Sequence, residues 1–293
     1  MSTGFNKKSE KNSAPEKQRR NSFEIKILQC APTASRSLER TRFVCDDHEM
    51  NTLPPPLIVA LDVDSRKNMA ETLGKLPNSL QWFKVGLELF CAEGPAVLEP
   101  IKARNSSIFL DLKLHDIPRT VERAVKSAAR HDVQLLTIHA GGGRAMIQAA
   151  AQAAREFGPS RPQVIAVTAL TSLQQGDLKD TGVARELADH VRGLAHLAIE
   201  SGADGVVCSP LEAKMLRQTL GPDALLVTPG IRAAGEAKGD QKRTLTAGEA
   251  VRAGATHLVV GRPILEATDP AEAADRLLME IRTAFSSRNA QNA

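Results

Sequence analysis

From Leu57 to about Phe285, short apolar runs alternate with longer amphipathic stretches, and this alternation restricts the fold more than any other property of the chain. The strand-like runs are Leu57–Val63, Trp82–Val85, Ile108–Leu112, Leu135–His139, Gln163–Thr168, Gly205–Cys208, Leu225–Thr228 and His257–Val260. Between them, Thr120–Arg130, Ala145–Glu156, Leu187–Glu200 and Ala271–Ala284 are alanine-rich and carry apolar residues at helical spacing. Parallel strands need crossover connections, so strands that alternate with helices predict a parallel sheet of the α/β class. Eight such units in about 240 residues match one (β/α)8 barrel. A doubly wound open sheet is the alternative. The expected organisation is an N-terminal extension over 1–55, one barrel domain over 56–286 and a C-terminal tail over 287–293.

The extension is rich in Ser, Asn, Lys and Arg and sustains no period of 2 or 3.6, which predicts disorder. It has no apolar stretch of the kind a secretory signal needs, and Glu10, Glu16, Glu24 and Glu39 argue against an amphipathic targeting segment. The folded part is expected to begin near Met50. Charge supports the same division. The net charge is +4, yet ten basic and seven acidic residues fall within 1–55, leaving +1 for the rest. A nearly neutral folded part offers no basic stripe for nucleic acid. No run approaches the roughly 18 apolar residues of a membrane span. Four cysteines without a CxxC pair read as free thiols in a reducing compartment, hence a cytoplasmic protein.

In a (β/α)8 barrel, functional side chains occupy the C-terminal ends of strands and the loops just after them. Here those positions hold Asp62, Lys84, Asp111, Lys113, Asp116, His139, Thr171, Pro229-Gly-Ile-Arg232 and Gly261-Arg262. Charges at buried strand ends are costly unless paired. Strands 1 to 3 supply two of each sign, so mutual neutralisation is available. Asp111 and Lys113 lie two apart on a strand, so both are expected to face the barrel mouth. Asp116 precedes Pro118 and has the position of a helix N-cap. One such pair could be a structural ion pair; a second pair aimed at the same mouth favours a site. Gly261-Arg262-Pro263, after strand 8, has the form of a phosphate-binding turn, and the loop from Gly230 to Thr244 is long enough to act as a lid. His139-Ala-Gly-Gly-Gly143 reads equally well as ligand-facing backbone or as a strand-ending turn. Cys91 and Cys208 read as small apolar residues, and Trp82 and Phe83 as core.

The ordered motifs resemble those of the orotidine 5′-phosphate decarboxylase family, in its bacterial branch, over nearly all of 57–285. They are Leu61-Asp62-Val63, Lys84-Val85-Gly86, Asp111-Leu-Lys113-Leu-His-Asp116-Ile-Pro, Thr168-Ala-Leu-Thr171-Ser, Thr228-Pro-Gly-Ile-Arg232 with Gln241, and Val260-Gly261-Arg262-Pro. The resemblance implies decarboxylation of orotidine 5′-monophosphate to UMP, with no cofactor and no metal. Lys113 would protonate C6, and Asp111 would sit against the substrate carboxylate. Asp116 would cross a homodimer interface to complete a Lys84–Asp111–Lys113–Asp116 network. Asp62, Lys84 and the partner subunit's Thr120 would bind ribose hydroxyls. Thr171 would meet the pyrimidine edge, while Arg232, Gln241, Gly261 and Arg262 would hold the phosphate. Arg119 departs from the smaller polar residue expected there, on a helix surface at the interface.

Two other functions compete. A metal-dependent sugar-phosphate decarboxylase or aldolase of the same superfamily would place an acidic ligand on strand 2, where Lys84 would instead repel Mg²⁺. A noncatalytic phosphate-ligand binder on the same barrel is the other.

Overall fold

The computed structural model describes residues 56–232 and 243–292, with side chains to residue 290. The expectations for 1–55, for a start near Met50, for Gln241 and for most of the lid loop lie outside these residues.

Eight parallel strands close into a barrel in chain order: β1 (Leu57–Ala60), β2 (Trp82–Gly86), β3 (Ser107–Leu114), β4 (Leu135–His139), β5 (Gln163–Val167), β6 (Gly205–Val207), β7 (Leu225–Thr228) and β8 (His257–Val260). Closure comes from β1 pairing with β8, Ile58 opposite Val259. The open-sheet alternative is thereby excluded. The helices of the first half are α1 (Arg66–Lys75), α2 (Leu87–Glu93), α3 (Glu99–Ala103), α4 (Pro118–Ala129) and α5 (Gly143–Arg155). Those of the second half are α6 (Gln175–Asp180), α7 (Leu187–Glu200), α8 (Pro210–Leu220), α9 (Ala247–Arg252), α10 (Arg262–Leu265) and α11 (Pro270–Asn292). Helix α11 runs beyond the expected Ala284 and takes in most of the expected tail. Ser286–Ala293 contains no glycine or proline that would stop a helix.

Local chemistry explains where elements begin. Proline stands in the first turn of α4, α8 and α10, where a missing N–H costs nothing. Thr246 and Glu249 cap α9 reciprocally, Glu249 N donating to Thr246 Oγ1 and Thr246 N to Glu249 Oε2. Asp116 is not the N-cap of α4. That position is Ile117, and the Asp116 carboxylate accepts the Ile117 N–H at 2.7 Å. The chain bends at Asp116 and passes through Ile117 at φ −57° and ψ 151°, so the helix starts two residues later than the aspartate.

Alternation within strands sorts the core into two regions. Ile58, Ala60, Phe109, Leu135, Ile165, Leu225, Val227 and Val259 fill the barrel interior. Their neighbours, such as Val59, Phe83, Leu110 and Val260, pack outward against the helices. Gly205 permits β6 to run close to β7, since a Cβ there would overlap the Leu225 carbonyl. The N-terminal end of the interior is plugged by Trp82 and His257, whose rings meet edge to face at 5.5 Å. Burial pushes the His257 imidazole from 6.5 down to about 4.

Candidate active site

At the C-terminal end of the strands, a cavity of about 260 Å³ opens over Phe109, Val167, Val207, Val227 and Val259. This is the end where such barrels carry function. Its polar wall comes from successive elements: Asp62 after β1, Lys84 on β2, Asp111 and Lys113 on β3, Thr171 after β5, Arg232 after β7, and Gly261 and Arg262 after β8.

The first four form a chain of alternating charge. Lys84 Nζ lies 2.9 Å from Asp62 Oδ1 and 3.6 Å from Asp111 Oδ2, and Lys113 Nζ lies 2.8 Å from Asp111 Oδ1. Asp111 is the buried member, 8% exposed. Burial alone would raise its pKa. The ammonium charges of Lys84 and Lys113, with hydrogen bonds from Lys113 and Thr137, outweigh burial and hold it below the ordinary carboxylate range. Its anionic form is therefore the stable one at neutral pH. Removing one partner of such a buried pair costs about 3–5 kcal/mol, because the other charge is left uncompensated.

Asp111 and Lys113 face the same cavity, although the strand between them is irregular. The register against β4 shifts between Leu110, opposite Leu136, and Leu114, opposite Ile138. Lys113 itself has φ +50°, a left-handed backbone that a residue with a Cβ rarely adopts. This bulge at a barrel mouth aims the lysine side chain. The period-two argument therefore has the right outcome on a strand that is not regular.

Thr171, Arg232, Gly261 and Arg262 line the cavity as expected. Counting the lining side chains, Lys84, Lys113, Arg232 and Arg262 stand against Asp62 and Asp111, a formal excess of two positive charges that suits an anionic ligand. Asp116 and Thr120 are exposed and do not join the cavity of their own chain. Within one chain the charge series therefore begins at Asp62 and ends at Lys113. Gln241 lies outside the described residues.

Three residues escaped the sequence reading. Thr137, fully buried on β4, donates from Oγ1 to Asp111 Oδ1 at 3.0 Å and accepts the Lys113 backbone N–H at 2.8 Å. Arg243, at the C-terminal end of the lid loop, donates to the Leu170 carbonyl at 2.9 Å and pairs with the buried Glu212, tying the β7 loop to the β5 loop and α8. The His115 ring lies against that of His139, tilted by 34° with centroids 5.3 Å apart. Burial, then the nearby charges of His115 and Lys113, lowers the His139 pKa below its usual 6.5. A polar residue inside an otherwise apolar strand was the available signal for Thr137; nothing comparable marked Arg243.

Comparison with known proteins decides the family. The model of the orotidine 5′-phosphate decarboxylase / HUMPS family matches residues 55–277. The chain belongs to this family. A relative named orotidine 5′-phosphate decarboxylase from Trichlorobacter lovleyi is 49% identical over 227 residues, covering 77% of this chain and 94% of the relative. Another of that name from Chromohalobacter salexigens is 50% identical over 223 residues, covering 74% and 92%. The crystal structure of orotidine 5′-phosphate decarboxylase from Lactobacillus acidophilus matches with a TM-score of 0.70 at 40% identity, covering 78% of this chain and 99% of that one. Family membership and barrel thus agree over the same stretch of chain. Among the described residues, no helix is long and apolar enough to cross a membrane.

Proposed function

We propose that this chain decarboxylates orotidine 5′-monophosphate to UMP and CO₂, a step of pyrimidine biosynthesis, using no cofactor or metal. The observation that carries the reading is the Asp111 carboxylate held between two ammonium groups at the floor of a cavity with excess positive charge. Loss of CO₂ breaks the bond between C6 and the carboxylate carbon and leaves the electron pair on C6. Without an electron sink, that charge must be met by preorganised positive charge. Lys113 is a compact cation and a proton donor; its Nζ delivers the proton that forms the C6–H bond, and solvent later restores it. Asp111 faces the substrate carboxylate and fixes Lys113. Asp62 and Lys84 bind ribose hydroxyls, Thr171 the pyrimidine edge, and Arg232, Gln241, Gly261 and Arg262 the phosphate. Phosphate binding then contributes energy that orients the ring.

The reading includes a homodimer in which Asp116 and Thr120 of one subunit complete the partner's site. Their exposure beside Ile117, itself 67% exposed, supports a covered face there. The reading places the step in the cytoplasm, and the free thiols of Cys91 and Cys208 suit such a reducing compartment. Against a metal-dependent reaction on a sugar phosphate stands Lys84, whose ammonium occupies the space between Asp62 and Asp111 where a divalent cation would need open carboxylates. The test is incubation of purified protein with orotidine 5′-monophosphate in EDTA, following the orotate chromophore. Turnover unaffected by the chelator is expected. No turnover, or turnover only after a divalent ion is added, rejects the reading.

A further inference from the structure

We propose that Thr137 is a positioning residue for the decarboxylation: its hydroxyl locks the left-handed backbone of Lys113 to the Asp111 carboxylate and so sets where the Lys113 amine stands. The inference rests on the functional reading above and extends it to a residue that does not line the cavity.

The bonding around this hydroxyl is fully determined. Lys113 N–H, displaced from the β3–β4 ladder by the register shift, donates to Thr137 Oγ1 at 2.8 Å. A hydroxyl has one proton, and this one goes to Asp111 Oδ1 at 3.0 Å. The same Oδ1 receives Lys113 Nζ at 2.8 Å. Backbone N–H, hydroxyl, carboxylate and ammonium thus close a ring that begins and ends on Lys113. The backbone end of the lysine is held by Thr137 Oγ1 and the ammonium end by Asp111 Oδ1, with the hydroxyl proton joining the two oxygens. Thr137 is 0% exposed, so no water can replace its hydroxyl without a cavity being opened. The left-handed backbone at Lys113, φ +50°, persists only where surrounding bonds over-determine it. Thr137 supplies one such bond from the neighbouring strand. Valine would keep the shape but leave the part-buried Lys113 N–H without this partner and take away one of the hydrogen bonds that fix Asp111 Oδ1.

The experiment compares Thr137→Val and Thr137→Ser with the wild-type chain in orotidine 5′-monophosphate turnover, UMP binding and thermal melting. The Val variant should lose roughly ten- to a hundredfold in kcat, the effect of removing a hydrogen bond to a charged group and loosening a reacting one. Its KM and UMP affinity should stay within about threefold of wild type, since those contacts come from other elements. The Ser variant, which keeps the hydroxyl, should return kcat to within about threefold. A Val variant with wild-type kcat, or a Ser variant as impaired as Val, overturns the proposal. Loss of UMP binding in step with kcat also overturns it, by making Thr137 a folding residue. Should the wild-type chain fail to turn over this substrate, the functional reading falls, and a crystal structure of the Val variant decides the positioning claim alone. Lys113 relaxed to negative φ, with its amine moved off Asp111, supports the claim, and unchanged geometry refutes it.

Discussion

His257 makes stability depend on pH between about 4 and 6.5. Its imidazole is 3% exposed, packed on the edge of Trp82, and shares a 3.0 Å hydrogen bond with Thr256 Oγ1. Burial takes its pKa from 6.5 to about 4. The unfolded chain therefore takes up a proton below about pH 6.5, whereas the folded chain does so only near pH 4. Between those limits the unfolded state binds more protons, so stability falls as pH falls. The full difference is about 2.5 pKa units, or about 3 kcal/mol lost below pH 4, of which about 2 kcal/mol is lost by pH 5. The assay is urea unfolding at several pH values between about 7.5 and 5, on the wild-type chain and on His257→Gln. The variant keeps a polar group at the plug but does not titrate, so its stability should fall less over this range, by about 2 kcal/mol. Parallel curves for the two proteins would show that His257 is hydrated or already charged in the folded state, and the account of the barrel floor would be wrong.

Gly86 follows Lys84 on β2, and a Cβ there would stand 2.9 Å from Lys84 Nζ. Gly86→Ala should therefore push that ammonium away from Asp62 and Asp111 and lower kcat/KM about tenfold or more with little change in melting temperature, checked by steady-state kinetics beside a thermal melt. Cys208 is fully buried, and burial pushes its thiol up to about 12. An aromatic disulfide reagent should accordingly label as many thiols in the native Cys208→Ser variant as in wild type, and one fewer would contradict its burial.

The barrel was legible because its signal is periodic and repeated. Leu135–His139, Leu187–Glu200, Leu225–Thr228 and His257–Val260 have the same limits in structure as in sequence. Solvation explains the legibility of the charged cluster: Asp62, Lys84, Asp111 and Lys113 stand in runs that are otherwise apolar, and such placements are tolerated only when the charges meet. The bulge at Lys113 was not legible. Left-handed backbone is announced in sequence by glycine or asparagine, and here a lysine adopts it under constraint from a strand some 24 residues away. Thr137 escaped for a related reason, since threonine is an ordinary strand former and its role exists only through its neighbours. Asp116 misled in a local way: Asp followed by Pro two residues on fits a cap, but the chain bends at Asp116 and Ile117 takes the cap position.

The Lys113→Ala variant gives the most direct test of the central claim that the amine beside Asp111 protonates the carbon from which CO₂ departs. Turnover of orotidine 5′-monophosphate should fall by at least about four orders of magnitude, while UMP, held through its ribose and phosphate, should bind within about tenfold of wild type. Residual decarboxylation within about tenfold of wild type would mean that another group supplies both the charge and the proton, and the assignment of Lys113 would fail.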